Sequence, residues 1–136
     1  MKIPVIILAG VVAAGLSASL FLEKRGECVE VKVEIADTPE ARQLGLSGRE
    51  VLDENEGMLF IHETPGSYGY WMKDMNFPLD IVWLGEDMKI IGAMENVLPE
   101  SYPETFYPPQ PVRYALEVNA GWVKKNNIQT GNKICR

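Results

Sequence analysis

The sequence predicts a mainly β chain, an antiparallel sandwich or barrel with one or two short helices, preceded by an N-terminal hydrophobic helix. Three observations predict it. From Cys28 to Ala36 apolar and polar residues alternate, the period of a strand with one wet face. Further short apolar runs are divided by Gly, Pro and Asp turns, which favours antiparallel pairing over alternating βα units. The 136 residues, 46% hydrophobic and 24% charged, suit one globular domain and are too few for two.

Residues 3–22, IPVIILAGVVAAGLSASLFL, carry no charge. At about 1.5 Å per residue this run matches the roughly 30 Å hydrocarbon core of a bilayer. Lys2, the apolar stretch and Ser17-Ala18-Ser19 also supply the basic start, apolar centre and small-residue cleavage site of a signal peptide. The extension Leu20-Phe21-Leu22 favours a retained anchor. Residues 1–26 are read as signal or membrane anchor, with membrane contact through residues 3–22, and residues 27–136 as a single exported β-sandwich domain, secreted or membrane-anchored. Cys28 and Cys135 bracket that domain. A bond between them would tie its two ends together in an oxidising compartment; two unconnected small hydrophobes are the alternative.

Within the domain, Val29, Val31, Val33 and Ile35 share one side of the first strand. Asp37-Thr38-Pro39-Glu40 then offers a capping residue, a first-turn Pro and an acid for a short helix through Leu44, stopped by Gly45 and Gly48. Strands are expected at residues 57–62, 68–73, 79–84, 88–94 and 112–119, with a hairpin turn at Gly85-Glu86-Asp87. One or two helical turns follow over residues 120–126, and a last short strand over 133–135. Residues 95–111 hold five of the nine prolines; lacking amide donors, they are expected to form an extended strap carrying Tyr102, Phe106 and Tyr107.

The charge sum of minus 6 is the wrong sign for a phosphate-neutralising surface, so no nucleic-acid partner is expected. There is no GxSxG, HExxH, Walker A or GxGxxG motif and no CxxC pair, which disfavours common hydrolase, nucleotide and thioredoxin chemistry. With His62 as the sole histidine, no metal centre and no cofactor are expected; His62 itself reads as a solvated surface residue.

The densest chemistry lies in WMKDMNFPLD, residues 71–80. Trp71 and Lys73 point one way and Met72 the other if the strand is regular. Leu79, Ile81 and Trp83 share a face, leaving Asp80 with Val82 and Leu84, so Asp80 is an acid in a strand that otherwise reads as buried. Such a carboxylate needs a partner, for which Lys73, Arg42 and Arg49 are the candidates; an internal ion pair or turn cap is the plain alternative to ligand contact. Glu117 stands two residues from Asn119 on one face of the strand at 112–119. Were that face to line a cleft with Asp80, two carboxyls about 5 to 9.5 Å apart could serve as acid and base in hydrolysis.

The order VEIADTPEARQLGLSGR, GMLF, WMKDMNFPLDIVW and ALEVNAGW with a following GN closely resembles the bacterial and archaeal domain of unknown function 192 family across residues 29–134. The resemblance implies a mainly antiparallel β-sandwich of jelly-roll type with short helices, often behind a signal or lipoprotein segment, and carries no activity with it. Arg42, Arg49, Trp71, Lys73, Asp80 and Glu117 fall on its signature; Asp74 stands where the pattern has Asn, replacing a possible donor by a group that, ionised, only accepts. The expected site thus comprises Arg42, Arg49, Trp71, Lys73, Asp74, Asp80, Glu117 and Asn119. The expected function is an envelope binding or interaction module for an unidentified ligand or protein. A small hydrolase, possibly glycan-directed, with Asp80 and Glu117 as its carboxylates is the alternative, and a structural subunit using the aromatic strap is a third.

Overall fold

The segment Leu79–Leu84 is buried at every position, which only a strand covered on both faces can be. In the computed structural model, which describes residues 28–135, it is β4 of a chain running β1 (Lys32–Ala36), α1 (Pro39–Leu44), β2 (Glu56–Gly66), β3 (Tyr70–Trp71), β4, β5 (Ile90–Val97), a 3-10 turn (Pro99–Ser101), β6 (Thr105–Phe106), β7 (Val112–Asn119) and α2 (Trp122–Lys125). The larger sheet has the order β1-β2-β7-β4-β5, and β3 and β6 form a separate pair. Strands β7 and β4 occupy its centre, registered Leu79 to Asn119, Ile81 to Glu117 and Trp83 to Ala115.

Period-two alternation splits the core into two layers. One face carries Met58, Phe60, Leu79, Ile81, Trp83 and Ala115 and is covered by Leu46, Tyr70 and Met72. The other carries Leu59, Val82, Leu84, Leu116 and Val118 beneath Trp122, Val123 and Ile134. Each such large apolar side chain withdrawn from water contributes about 1.5–3 kcal/mol before entropy is counted.

Local chemistry sets the covers. Thr38 Oγ1 accepts from Ala41 N at 3.1 Å and Pro39 opens α1. Gly45, at φ +51, turns the chain so that Leu46 enters the core while α1 stays at the surface. Gly57 sits in β2 where a Cβ would lie 2.6 Å from Glu117 O; its lack of a side chain lets β2 approach β7 closely. Cys28 and Cys135 form a disulfide across a separation of 107 residues, Cα to Cα 4.9 Å.

The fold is mainly β with two short helices, as expected, but it is neither wholly antiparallel nor a closed barrel. Strand β1 pairs parallel to β2, because the connection through α1 is long enough to return the chain in the same direction. The larger sheet stays open, with β1 and β5 at its edges. The strand expected at 68–73 contracts to Tyr70–Trp71, and β5 reaches Val97, so the proline-rich strap begins at Leu98. The expected final strand consists of isolated bridges, Val29 to Ile134 and Lys89 to Lys133. The expected signal or anchor at 1–26 lies outside the described residues; among those described, no helix is long and apolar enough to cross a membrane.

Candidate functional site

The strand parity that buries β4 also separates the two acids. Asp80 is opposite Val118 and Glu117 opposite Ile81, so their side chains project from opposite faces of the sheet. The acid and base pair expected from them does not form. Asp80 is not held by Arg42, Arg49 or Lys73 either. Its Oδ1 accepts from Asn96 N at 2.9 Å, and its Oδ2 accepts from Gly121 N at 3.1 Å and Val123 N at 2.9 Å. Asp80 is therefore a buried cap that fastens α2 and the end of β5 to the central strand, the plainer of the two sequence readings.

The other expected residues scatter by the same logic. Arg49 pairs bidentately with Glu34 at 2.8 and 2.5 Å. Asn119 Nδ2 donates to Leu52 O and Asp53 O at 2.7 and 3.3 Å. Lys73 and Asp74 lie exposed on the turn after β3, where their carbonyls accept from Ser47 Oγ and Gly48 N, both at 2.8 Å. They border an open surface depression with Glu40 and Gln43.

Arg42, Trp71 and Glu117 do come together. They line a pocket of about 80 Å³ with Ser47, Phe60, His62 and Tyr70, between α1 with its following loop, β2, β3 and the floor strand β7. Arg42 is positioned by Nη1, which donates to Asp37 O at 2.7 Å and Ile61 O at 2.8 Å. Trp71, 42% exposed, stands at the mouth with its ring edge-on to Tyr102 at 6.0 Å. Tyr70 packs edge-on against Phe60 at 5.3 Å, and its hydroxyl is 2.9 Å from His62 Nε2. The His62 ring stacks on Tyr68 at 3.5 Å.

Glu117 forms the floor. Its neighbours on the same face are Met58 of β2 and Ile81 of β4, and it is 5% exposed. Among the described residues no hydrogen bond or ion pair reaches its carboxyl, and the residue lines the pocket. Loss of hydration penalises the charged form and pushes its pKa up to about 8. His62 is pushed down to about 4, first by burial and then by the Arg42 charge. Burial and then the Glu117 charge raise the Tyr70 phenol. At neutral pH the site therefore combines a protonated carboxyl, a neutral imidazole and a neutral phenol.

Sequence reasoning missed His62 and Tyr70. His62 is half-buried and bonded to Tyr70 rather than solvated. The available signal was the pair of aromatic residues at 68 and 70, which lie close to His62 in the chain and can fold back over it across a short turn. Among the described residues no cluster of three His, Cys, Asp or Glu could hold a metal ion.

The profile of the DUF192 family, described as Uncharacterized ACR, matches residues 20–135. Two solved structures are similar. One, described as a candidate transcription regulator from Sinorhizobium meliloti, shares 35% identity over 74% of this chain and 78% of its own, with a TM-score of 0.71. The other, a protein of unknown function from Novosphingobium aromaticivorans, shares 31% identity over 76% and 73%, also with a TM-score of 0.71. No curated protein matches the sequence.

Proposed function

We propose that this chain, which belongs to the DUF192 family, is a binding module of the cell envelope that holds a small group in the pocket floored by Glu117. One observation carries the reading: a carboxyl withdrawn from water, without a hydrogen-bond partner among the described residues, that lines a pocket. Burying such a group costs free energy, and a ligand that hydrogen-bonds it recovers that cost. Phe60, Tyr70 and Trp71 supply the apolar contacts that small-molecule sites require around a few polar groups. The Cys28–Cys135 bond is compatible with an oxidising, extracytoplasmic compartment. The net charge of minus 6 disfavours a phosphate-backbone partner.

The test is a melting screen of the full chain and its Glu117→Gln variant against small envelope-polymer fragments, amines, organic acids and sugars. A ligand at about a hundred times its Kd stabilises the native state by about 2.7 kcal/mol, a readily measured shift. The reading expects at least one ligand that raises the Tm of the natural chain and not that of the variant. A screen without a hit, or hits that raise both equally, would overturn it.

A further inference from the structure

We propose that the pocket above Glu117 takes the head of a protonated primary amine, a –NH3+ group on a short carbon stem. The inference rests on the binding reading and deepens it by naming the ligand class.

The buried polar group at the floor of the pocket, once ionised, is an acceptor. Glu117 presents two carboxyl oxygens that no hydrogen bond reaches among the described residues. Ser47 Oγ donates its proton to Lys73 O at 2.8 Å and keeps its lone pairs. Arg42, the cation that lines the pocket, has Nη1 committed to two main-chain carbonyls. An ammonium brings three donors and no acceptor, the complement of an ionised Glu117 carboxylate, whereas an anionic head is compatible only with the protonated carboxyl. Phe60 and Tyr70 line the pocket with Glu117, and Trp71 stands at its mouth; aromatic rings attract a cation held over their faces within about 6 Å.

Size sets the stem. At roughly 10–15 Å³ for each water-sized position, the cavity of about 80 Å³ holds about six such positions. That fits an ammonium on three or four carbons. The hydrophobic mouth, Leu44 and Trp71, lets a longer stem continue outward. The charged and titratable groups that line the pocket with Glu117 are Arg42 of α1, His62 of β2 and Tyr70 of β3; β4 presents Leu79, Ile81 and Trp83 on the same face of the sheet. Seating the ammonium turns the neutral carboxyl into a carboxylate, and the displaced proton passes to the buffer. Two sources share this chemistry, a free alkylamine and the end of a lysine side chain.

The experiment titrates the 15N-labelled full chain with n-butylammonium chloride, n-butanol, butyrate and Nα-acetyl-lysine methylamide, following amide shifts. Butylammonium should move Gly69, Trp71 and Glu117, with butanol and butyrate inert. Glu117→Gln should weaken it at least about tenfold, as for loss of a charge-assisted hydrogen bond. Trp71→Ala, an exposed position whose loss leaves the core intact, should weaken it about threefold. Calorimetry near neutral pH, in buffers of different ionisation enthalpy, should detect proton release on binding. Tighter binding of the lysine derivative than of butylammonium assigns a lysine side chain; the reverse assigns a free amine. No amine response, or equal binding by Glu117→Gln, would overturn the amine assignment. Butyrate or butanol binding at the same amides would overturn it while leaving the pocket a binding site, and silence toward every class in the wider screen would remove both.

Discussion

Replacing Glu117 by Gln keeps the size of the buried side chain and removes its ability to ionise, so the stability difference between variant and natural chain isolates one proton. Burial carries the carboxyl from its ordinary 4.5 to about 8. Because this folded-state pKa is raised, the native chain holds a proton that the unfolded chain releases. Stability is therefore fully present below the unfolded value, declines as pH rises from 4.5 and levels above about 8. At about 1.36 kcal/mol per pH unit, that window corresponds to on the order of 5 kcal/mol. The variant lacks this slope. Urea unfolding of both chains, disulfide intact, from about pH 4 to about pH 9 gives two curves whose separation changes only through Glu117. The account expects the variant to gain several kcal/mol on the natural chain across that range. A separation constant to within about 0.5 kcal/mol would refute the claim that the carboxyl is held neutral.

Asp80→Ala leaves the amides of Asn96, Gly121 and Val123 without their acceptor and should cost about 4 kcal/mol. Hydrogen exchange at Val123 should accelerate while amine binding on the opposite face persists; unchanged exchange would contradict the capping role. Reducing the Cys28–Cys135 bond, which closes a 107-residue separation, should cost up to about 4.7 kcal/mol in the chain-entropy account, read from urea midpoints with and without reductant. His62, lowered from 6.5 to about 4, binds its proton more readily when unfolded, so stability should fall as pH drops from 6.5 toward about 4. His62→Gln should flatten that acid limb in thermal melts, and an unaltered limb would count against the burial of the imidazole.

Local features were the legible part of the fold. Leu79–Leu84, Val112–Asn119 and the helix ending at Leu44 appear where apolar alternation, a first-turn Pro and a stopping Gly place them. Alternation also assigned Asp80 and Ile81 to opposite faces. Partner choice was not legible, because β1 meets β2 in parallel only through a contact made at long range. The same limit misplaced the site. Sequence displays side-chain charges but not the direction of main-chain N–H groups, so it offers Lys73, Arg42 and Arg49 beside a turn cap as ways to hold Asp80, and three amides hold it. Glu117 was found, but its setting depended on register. Only pairing with Ile81 and Met58 shows that its face is the apolar floor, and only the fold brings Tyr70 and His62 over it.

Carboxyl 13C chemical shifts of Glu117, followed through a pH titration with and without n-butylammonium, test the central claim most directly. The account predicts a midpoint at about 8 in the free chain, drawn down toward the ordinary carboxylate range by the bound ammonium. A midpoint near 4.5 that the amine leaves unmoved would contradict it.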